Sequence, residues 1–269
     1  MVSVARRALG TRRIGHAGTL DPFATGLLVL LVGNATRLLP HLDGEPKVYE
    51  ASIVFGSETD TDDVTGTVVA TSALPDVARV ADGIASLTGT IDQVPPAYSA
   101  KQVEGRRAYD AARRGNALDL PPVRVTVHDW RVRALTADRL DASITCGGGT
   151  YIRALARDLG RRCASTAHLA SLRRTRSGSF DIANAASLDD LKQGTASPRP
   201  PIDAVLHLDA VSLAPEHVAD VRHGRAVPVR VDDTLASGKS ALIDDAGRLV
   251  AIGERVDDMW QPRVVLPDA

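Results

Sequence analysis

The sequence predicts an α+β protein: a mixed, mostly antiparallel sheet flanked by helices, followed by a small C-terminal β-barrel. Three observations carry this. Strand-like alternation and helical spacing interleave without a regular βαβ rhythm, which argues for an α+β domain around a mostly antiparallel sheet. Residues 123–132 and 140–146 read as the two strands of one hairpin. After Leu206 the pattern changes to short strands broken by turns, among them Asp244-Asp245-Ala246-Gly247, as a small barrel requires.

Taken in order, Met1 to Leu9 reads as a helix carrying Arg6 and Arg7. Leu27 to Val32 is a continuous apolar run suited to a buried strand. Asn34 to Leu42 has helical spacing, with Asn34 as its cap. Val48 to Phe55 alternates as a strand does, and Gly56 to Gly66 is an acidic turn. A helix is predicted from Asp76 to Leu87 with Gly89 as its stop, and a basic helix from Gly105 to Arg114 ending at Gly115. Tyr151 to Cys163 is strongly amphipathic; Thr150 reads as its N-cap, which places Arg153 in the first turn. Residues 194–201, Gly-Thr-Ala-Ser-Pro-Arg-Pro-Pro, are linker-like, and there is no internal repeat or low-complexity tract.

Composition narrows the function classes. At 269 residues and 44% hydrophobic, the chain is long enough for one large domain or a main domain with a small companion. No window approaches the ~18 apolar residues of a membrane span, and no apolar segment ends in a secretory cleavage site. Cys146 and Cys163 form no C-x-x-C and read as reduced core thiols of a cytoplasmic protein. The seven histidines make no H-E-x-x-H and no Cys/His cluster exists, so no metal site is expected.

The net charge of −1 is unevenly spread: residues 203–269 carry −5 and the remainder +4. Of the 32 basic residues only four are lysine, and the arginines gather in pairs such as Arg12-Arg13, Arg161-Arg162 and Arg173-Arg174. Guanidinium forks suit phosphate, although such pairs also serve as solvated helix faces. Aromatics are only 3%, too few for a base-stacking platform on unstructured single strands. A folded RNA read by shape and backbone fits better.

The densest motif is Gly15-His16-Ala17-Gly18-Thr19-Leu20-Asp21-Pro22-Phe23-Ala24-Thr25-Gly26. It places one carboxylate in a loop of small and turn-forming residues. Pro22 disfavours a helical conformation at Asp21, and the glycines permit sharp turns and close backbone approach. Asp21 there suits nucleophilic or acid/base work; spacing alone favours the plainer role of capping a short helix with Pro22 at the first position.

The wording of that motif, followed by Gly33-Asn34-Ala35-Thr36-Arg37, closely resembles the signature of the TruB family of bacterial tRNA pseudouridine-55 synthases. Further blocks resemble the family in the same order: Lys47-Val48-Tyr49, Thr59-Asp60-Thr61-Asp62-Asp63-Val64-Thr65-Gly66, Pro95-Pro96-Ala97-Tyr98-Ser99-Ala100-Lys101 and Gly149-Thr150-Tyr151-Ile152-Arg153. Together they cover roughly residues 10 to 180. Val221 to Val227 is similar, more weakly, to the helix-to-strand entry of the PUA RNA-binding module.

The resemblance implies a pseudouridine-synthase-type catalytic domain over residues 1–204 and a PUA-like RNA-binding domain over 205–269. It implies isomerisation of uridine 55 in the T-arm of tRNA, by a cytoplasmic monomer that uses no cofactor and no metal. Asp21 is then the nucleophile, or the base in a glycal route. Arg153 is its candidate cation: a guanidinium in the first helical turn opposes the helix dipole by ~0.3–1 kcal/mol, which invites a partner elsewhere. Tyr49 would stack on the flipped uracil, His16 would wedge beside the displaced base, and Leu172 would line the base pocket. Each also has an ordinary structural fate, as a half-buried strand tyrosine, a turn histidine and a core leucine.

The family's usual N-terminal strand and Lys-Pro-x-Gly-x-x-Ser loop have no counterpart, so a misplaced start codon or a truncated chain is expected. Two competing readings stay open: a catalytically impaired tRNA-binding folding factor, and a hydrolase with an aspartyl nucleophile.

Overall fold

The computed structural model describes residues 1–99, 101–103, 106–107, 118–229 and 238–267. Two compact units emerge. One comprises Leu20–Leu27 and Gly44–Ala183; the other comprises Met1–Thr19, Leu28–Asp43 and Asn184–Ala269.

The first unit is organised by a seven-stranded sheet. Its order is Phe180–Asp181, Ala167–Ser177, Lys47–Phe55, Arg139–Cys146, Val123–Leu135, Gly89–Gln93, all antiparallel; Thr25–Gly26 adds a short parallel pairing to Ala167–Ser177. Alternation explains the central strands. Tyr49, Ala51, Ile53 and Phe55 are buried on one, and Leu140, Ala142, Ile144 and Cys146 on its neighbour. The expected hairpin forms, with its first strand extended to Leu135. Along that strand Val125 and Val127 are buried and then Trp130, an odd step absorbed by a register shift between Val127 and Asp129.

Helix Ile152–Arg162 packs Ile152, Leu155, Ala156 and Leu159 into this core. Gly160 is needed there, because a Cβ would stand 2.6 Å from the Ala167 nitrogen. The sequence places the cap one residue early. Tyr151 occupies the cap position without a side-chain bond, while the Thr150 hydroxyl turns back to donate to the Gly147 carbonyl at 2.9 Å. Burying Leu155 and Leu159 is worth about 1.5–3 kcal/mol each, more than the ~1 kcal/mol a cap supplies, so packing fixes this helix. Helix Val77–Ser86 starts as expected, Asp76 accepting from the Ala78 amide at 3.0 Å. Within the acidic turn region, Ser57–Thr59 pairs with Val68–Thr71. The basic helix expected over 105–114 lies largely outside the described residues; Arg106–Arg107, which are described, pair with Gln102–Val103 as a two-residue ladder instead.

The second unit holds helix Val2–Ala8, the strand pair Ile14–Ala17 and Val29–Val32, and helix Leu188–Gln193 with a Ser187/Asp190 capping box. The segment expected to be an α-helix from Asn34 is a 3-10 helix, Gly33–His41, interrupted by Pro40. Asn34 does not cap it, because its side-chain oxygen accepts from Arg13 Nη1 at 2.8 Å. The C-terminal part is a five-stranded sheet curled as a half-barrel, ordered Asp209–Ser212, Lys239–Ile243, Leu249–Val256, Met259–Val265, Val227–Pro228, with helix Pro215–Arg222 beside it. Its core is built on Val211, Val221, Leu242 and Trp260. Among the described residues no helix is long and apolar enough to cross a membrane.

Candidate active site

Asp21 opens a tight turn rather than a helix: the Ala24 amide donates to the Asp21 carbonyl at 3.0 Å. Pro22 sets the first corner, and Phe23 and Ala24 lean onto the hydrophobic core. The chain then docks as Thr25–Gly26 beside Arg173–Arg174. Gly26 has φ +96°, and a Cβ on it would lie 2.2 Å from the Arg174 carbonyl oxygen. That close approach lets the Leu27 amide donate to the Arg174 carbonyl at 2.8 Å, while Arg174 Nε donates to the Leu27 carbonyl at 2.9 Å. The loop carrying Asp21 is therefore fastened by backbone on its C-terminal side.

Arg153 meets this carboxylate as a fork. Nε donates to Asp21 Oδ2 at 3.1 Å and Nη2 to Oδ1 at 2.7 Å. Nη2 also donates to the Tyr98 carbonyl at 2.9 Å, and Nη1 to the Thr61 carbonyl at 2.8 Å. Asp63 adds a second negative charge, with Oδ2 3.6 Å from Nε. The Asp63 carboxylate is held in turn by the Thr65 amide at 2.9 Å and the Thr61 hydroxyl at 2.8 Å. The Arg153 side chain is 5% exposed, whereas Asp21 keeps 27%. A buried guanidinium is stable only when its donors and charge are matched, and here they are. The pair thus presents an aimed, hydrogen-bonded carboxylate whose free edge still reaches solvent.

The base of helix Ile152–Arg162 is pinned by Gln93. Its side-chain oxygen accepts from the Tyr151 amide at 2.9 Å, and its nitrogen donates to the Tyr151 carbonyl at 3.1 Å. Gln93 is fully buried, and this brace fixes the turn from which Arg153 projects.

Of the other residues singled out in the sequence, Tyr49 is buried on the central strand, opposite Arg174 in register. Burial, first, pushes its phenol pKa up, the neighbouring Cys146 and Asp21 adding to this; the Arg174 charge and hydrogen bond pull the other way. Leu172 is buried two residues earlier on the adjoining strand, opposite Ala51, and belongs to the core. A groove of about 590 Å³ has Phe23, Thr25, Leu172 and Arg173 among its lining residues. His16 lies in the other unit, exposed on the strand Ile14–Ala17. The structure thus brings Asp21, Arg153 and Tyr49 together, while Leu172 sits at the adjoining groove and His16 belongs to a separate body.

Asp63, Gln93, Arg157 and Arg174 were not singled out one by one. Arginines at 153 and 157 on the apolar face of an amphipathic helix were the available signal, because a buried arginine demands acidic partners, and Asp62-Asp63 is an acidic doublet within one of the motif blocks. Among the described residues no group of three His, Cys, Asp or Glu side chains could hold a metal ion.

Comparison with known proteins adds an independent line. The N-terminal domain of the TruB family pseudouridylate synthases matches residues 6–152, and the tRNA pseudouridylate synthase B C-terminal domain matches residues 153–209. The tRNA pseudouridine synthase B of Microcystis aeruginosa is 42% identical, over 98% of this chain and 93% of its own. That of Thermobifida fusca is 43% identical, over 98% and 92% respectively. Among solved structures, a chain of the archaeal box H/ACA sRNP Nop10-Cbf5 complex has TM-score 0.69 at 22% identity, covering 98% of this chain and 80% of that one. A chain of an H/ACA RNP bound to a substrate RNA containing 2'-deoxyuridine has TM-score 0.70 at 21% identity, covering 99% and 80%. These two likenesses establish a shared fold.

Proposed function

The chain belongs to the TruB family of pseudouridylate synthases, and on that premise we propose that it isomerises uridine 55 in the T-arm of tRNA to pseudouridine, with Asp21 as the reacting carboxylate. The curated relatives, named tRNA pseudouridine synthase B, support tRNA as the substrate. The observation that carries the role of Asp21 is the bidentate contact from Arg153, itself 5% exposed, to a carboxylate that remains 27% exposed.

The reaction breaks the bond from ribose C1′ to N1, turns the uracil, and joins C1′ to C5, with a proton lost from C5 and one gained at N1. Atoms balance without redox or an added group. Asp21 either adds to C1′ as N1 departs, to be displaced by C5, or removes the 2′ proton to give a glycal that C5 then re-engages. In both routes Arg153 keeps the Asp21 carboxyl group aimed while the base moves. The target base must leave its stack, at a cost of a few kcal/mol. Tyr49 stacks on it, with its phenol held neutral by burial. Leu172 closes the base pocket. Residues 1–204 perform this chemistry and residues 205–269 contribute a PUA-like RNA-binding surface. The protein works as a cytoplasmic monomer.

The test compares Asp21→Asn with the parent on T-arm RNA labelled with tritium at uracil C5. Tritium release falls by several orders of magnitude while RNA affinity stays near normal, and the parent's modified position maps to uridine 55. Equal turnover by both proteins refutes the role of Asp21. Binding by the parent without turnover favours the folding-factor reading, and strand scission or base loss favours a hydrolase.

A further inference from the structure

Arg157 lies one helical turn beyond Arg153, on the same face, and its side chain is 8% exposed. Nη1 donates to Asp62 Oδ2 at 2.8 Å, Nη2 to the Val94 carbonyl at 2.8 Å, and Nε to Asp158 Oδ1 at 2.9 Å. Arg153 reaches the same two segments, through the Thr61 carbonyl of the acidic turn and the Tyr98 carbonyl of the stretch after Gln93. Each segment is therefore gripped twice, by guanidinium groups one turn apart.

The grip on the acidic turn is specific. Asp62 has φ +60°, and this left-handed residue separates Thr61, whose carbonyl accepts from Arg153, from Asp63, whose carboxylate faces it. The Leu169 amide donates to the Asp62 carbonyl at 3.0 Å, and the Val64 amide to the Leu169 carbonyl at 2.9 Å, so the turn is docked on its other side to a sheet strand. Among the described residues Arg157 makes the only hydrogen bond to the Asp62 carboxylate. If Arg157 releases it, the buried carboxylate must seek water, and the turn moves the Thr61 carbonyl and Asp63 with it. Arg153 then loses two of the three partners that orient its fork toward Asp21, keeping only the Tyr98 carbonyl.

We propose that Arg157 and Asp62 form a positioning pair for the isomerisation: their ion pair fixes residues 61–63 so that Arg153 holds Asp21 in its reacting orientation. The role in turnover rests on the reading of Asp21 as the reacting group. Neither residue contacts the uridine.

Four variants test it: Asp62→Asn, tolerated at a left-handed position, Arg157→Lys, Arg157→Met, and the double variant Asp62→Asn/Arg157→Met. Single-turnover tritium release is measured with T-arm RNA affinity and melting temperature, and the Arg153 side-chain Nε–H is followed by ¹⁵N NMR. Misplacing a reacting group by about 1 Å costs about 100-fold, so Arg157→Met and Asp62→Asn are each expected to slow turnover by about 10- to 100-fold with affinity within about twofold. The double variant is no slower than the worse single variant, Arg157→Lys is intermediate, and the Arg153 Nε–H signal shifts in the single variants. Folded variants with parental turnover overturn the proposal. So does slowed turnover that merely tracks lost stability while the Arg153 signal stays in place. Should Arg157→Met not fold, Asp62→Asn and Arg157→Lys decide. A parent without turnover refutes the proposed reaction, whereas an unmoved Arg153 signal refutes the positioning; the two failures read out separately.

Discussion

Replacing Gly26 by alanine tests how the loop that carries Asp21 is held. The new Cβ would stand 2.2 Å from the Arg174 carbonyl oxygen and 2.9 Å from its nitrogen, more than 1 Å inside ordinary contact with the oxygen. Both obstructing atoms are backbone of a sheet strand, so no rotamer change relieves them. The residue also keeps φ +96°, a conformation that costs an L-residue about 1–3 kcal/mol. If the loop withdraws by the missing distance, the Leu27 amide and Arg174 Nε bonds are lost, each worth about 0.5–1.5 kcal/mol. The combined penalty is about 2–6 kcal/mol. The paired segment is two residues long and lies off the main strand order, so it peels more readily than the sheet unfolds. Global stability should then absorb only part of the penalty, and the rest appears as displacement of Asp21, five residues upstream. Single-turnover tritium release is expected to drop by about 100-fold, with the melting temperature lowered by roughly 2–4 °C for each kcal/mol the whole fold does absorb. A Gly26→Ala protein with parental turnover and an unchanged melting curve would refute the argument.

Two further outcomes follow from single residues. Burial, outweighing the attraction of Arg157, holds the Asp62 carboxyl at about 6, above the ~3.9 of an unfolded chain. Neutral Asp62 therefore contributes stability that is complete below about pH 4 and is lost as pH rises through about 6, up to about 3 kcal/mol; the melting temperature of Asp62→Asn relative to the parent should rise between pH 4.5 and 7.5, and a constant difference contradicts this. Exposed Arg173 lines the groove beside Thr25, so Arg173→Gln should reduce the slope of log affinity for T-arm RNA against log salt by about one unit, and an unaltered slope removes it from the phosphate contacts.

The two partners of the Asp62–Arg157 pair are unequally compensated. Burial works first against the Arg157 charge too, but Asp62, Asp158 and Glu58 together hold its pKa above the ordinary value. Asp62 has Glu58 against it as well as burial. The strain of the pair is therefore carried on the carboxylate side, and this is why Asp62, not Arg157, is the place to read it by pH.

Strand alternation made the sheet legible: Leu140, Ala142, Ile144 and Cys146 announce a buried face without reference to any neighbour. The helix after the glycine run was legible for the same reason, through the spacing of Ile152, Leu155 and Leu159. Its cap was misplaced because the Thr150 hydroxyl turns to donate to the Gly147 carbonyl instead of accepting from a first-turn amide, and one-dimensional cap rules do not weigh rival partners. Asn34 failed likewise once Arg13, 21 residues earlier, claimed its side chain. No periodicity could show that Leu31 and Leu38 share a core with Val205 and Ile252, since that grouping is made by packing across long stretches of chain.

The site residues themselves stand where local rules are broken. Arg153 lies against the helix dipole, Arg157 is a charge on a buried face, Asp62 holds a left-handed backbone and Gly26 is a glycine inside a strand pairing. Taken singly, each is a local cost, and in an ordinary core such costs would be scattered. Here all four belong to one unit, and the first three are joined through two segments that both arginines grip. The fourth fastens the loop whose carboxylate Arg153 holds. Conflict between local preference and global structure that collects around one partly exposed carboxylate is what a preorganised site requires, because the carboxylate must be aimed before substrate arrives rather than by it. The motif named Asp21 and Arg153; the concentration of strain around them explains why the chain keeps an ion pair at Asp62 whose burial costs stability at neutral pH.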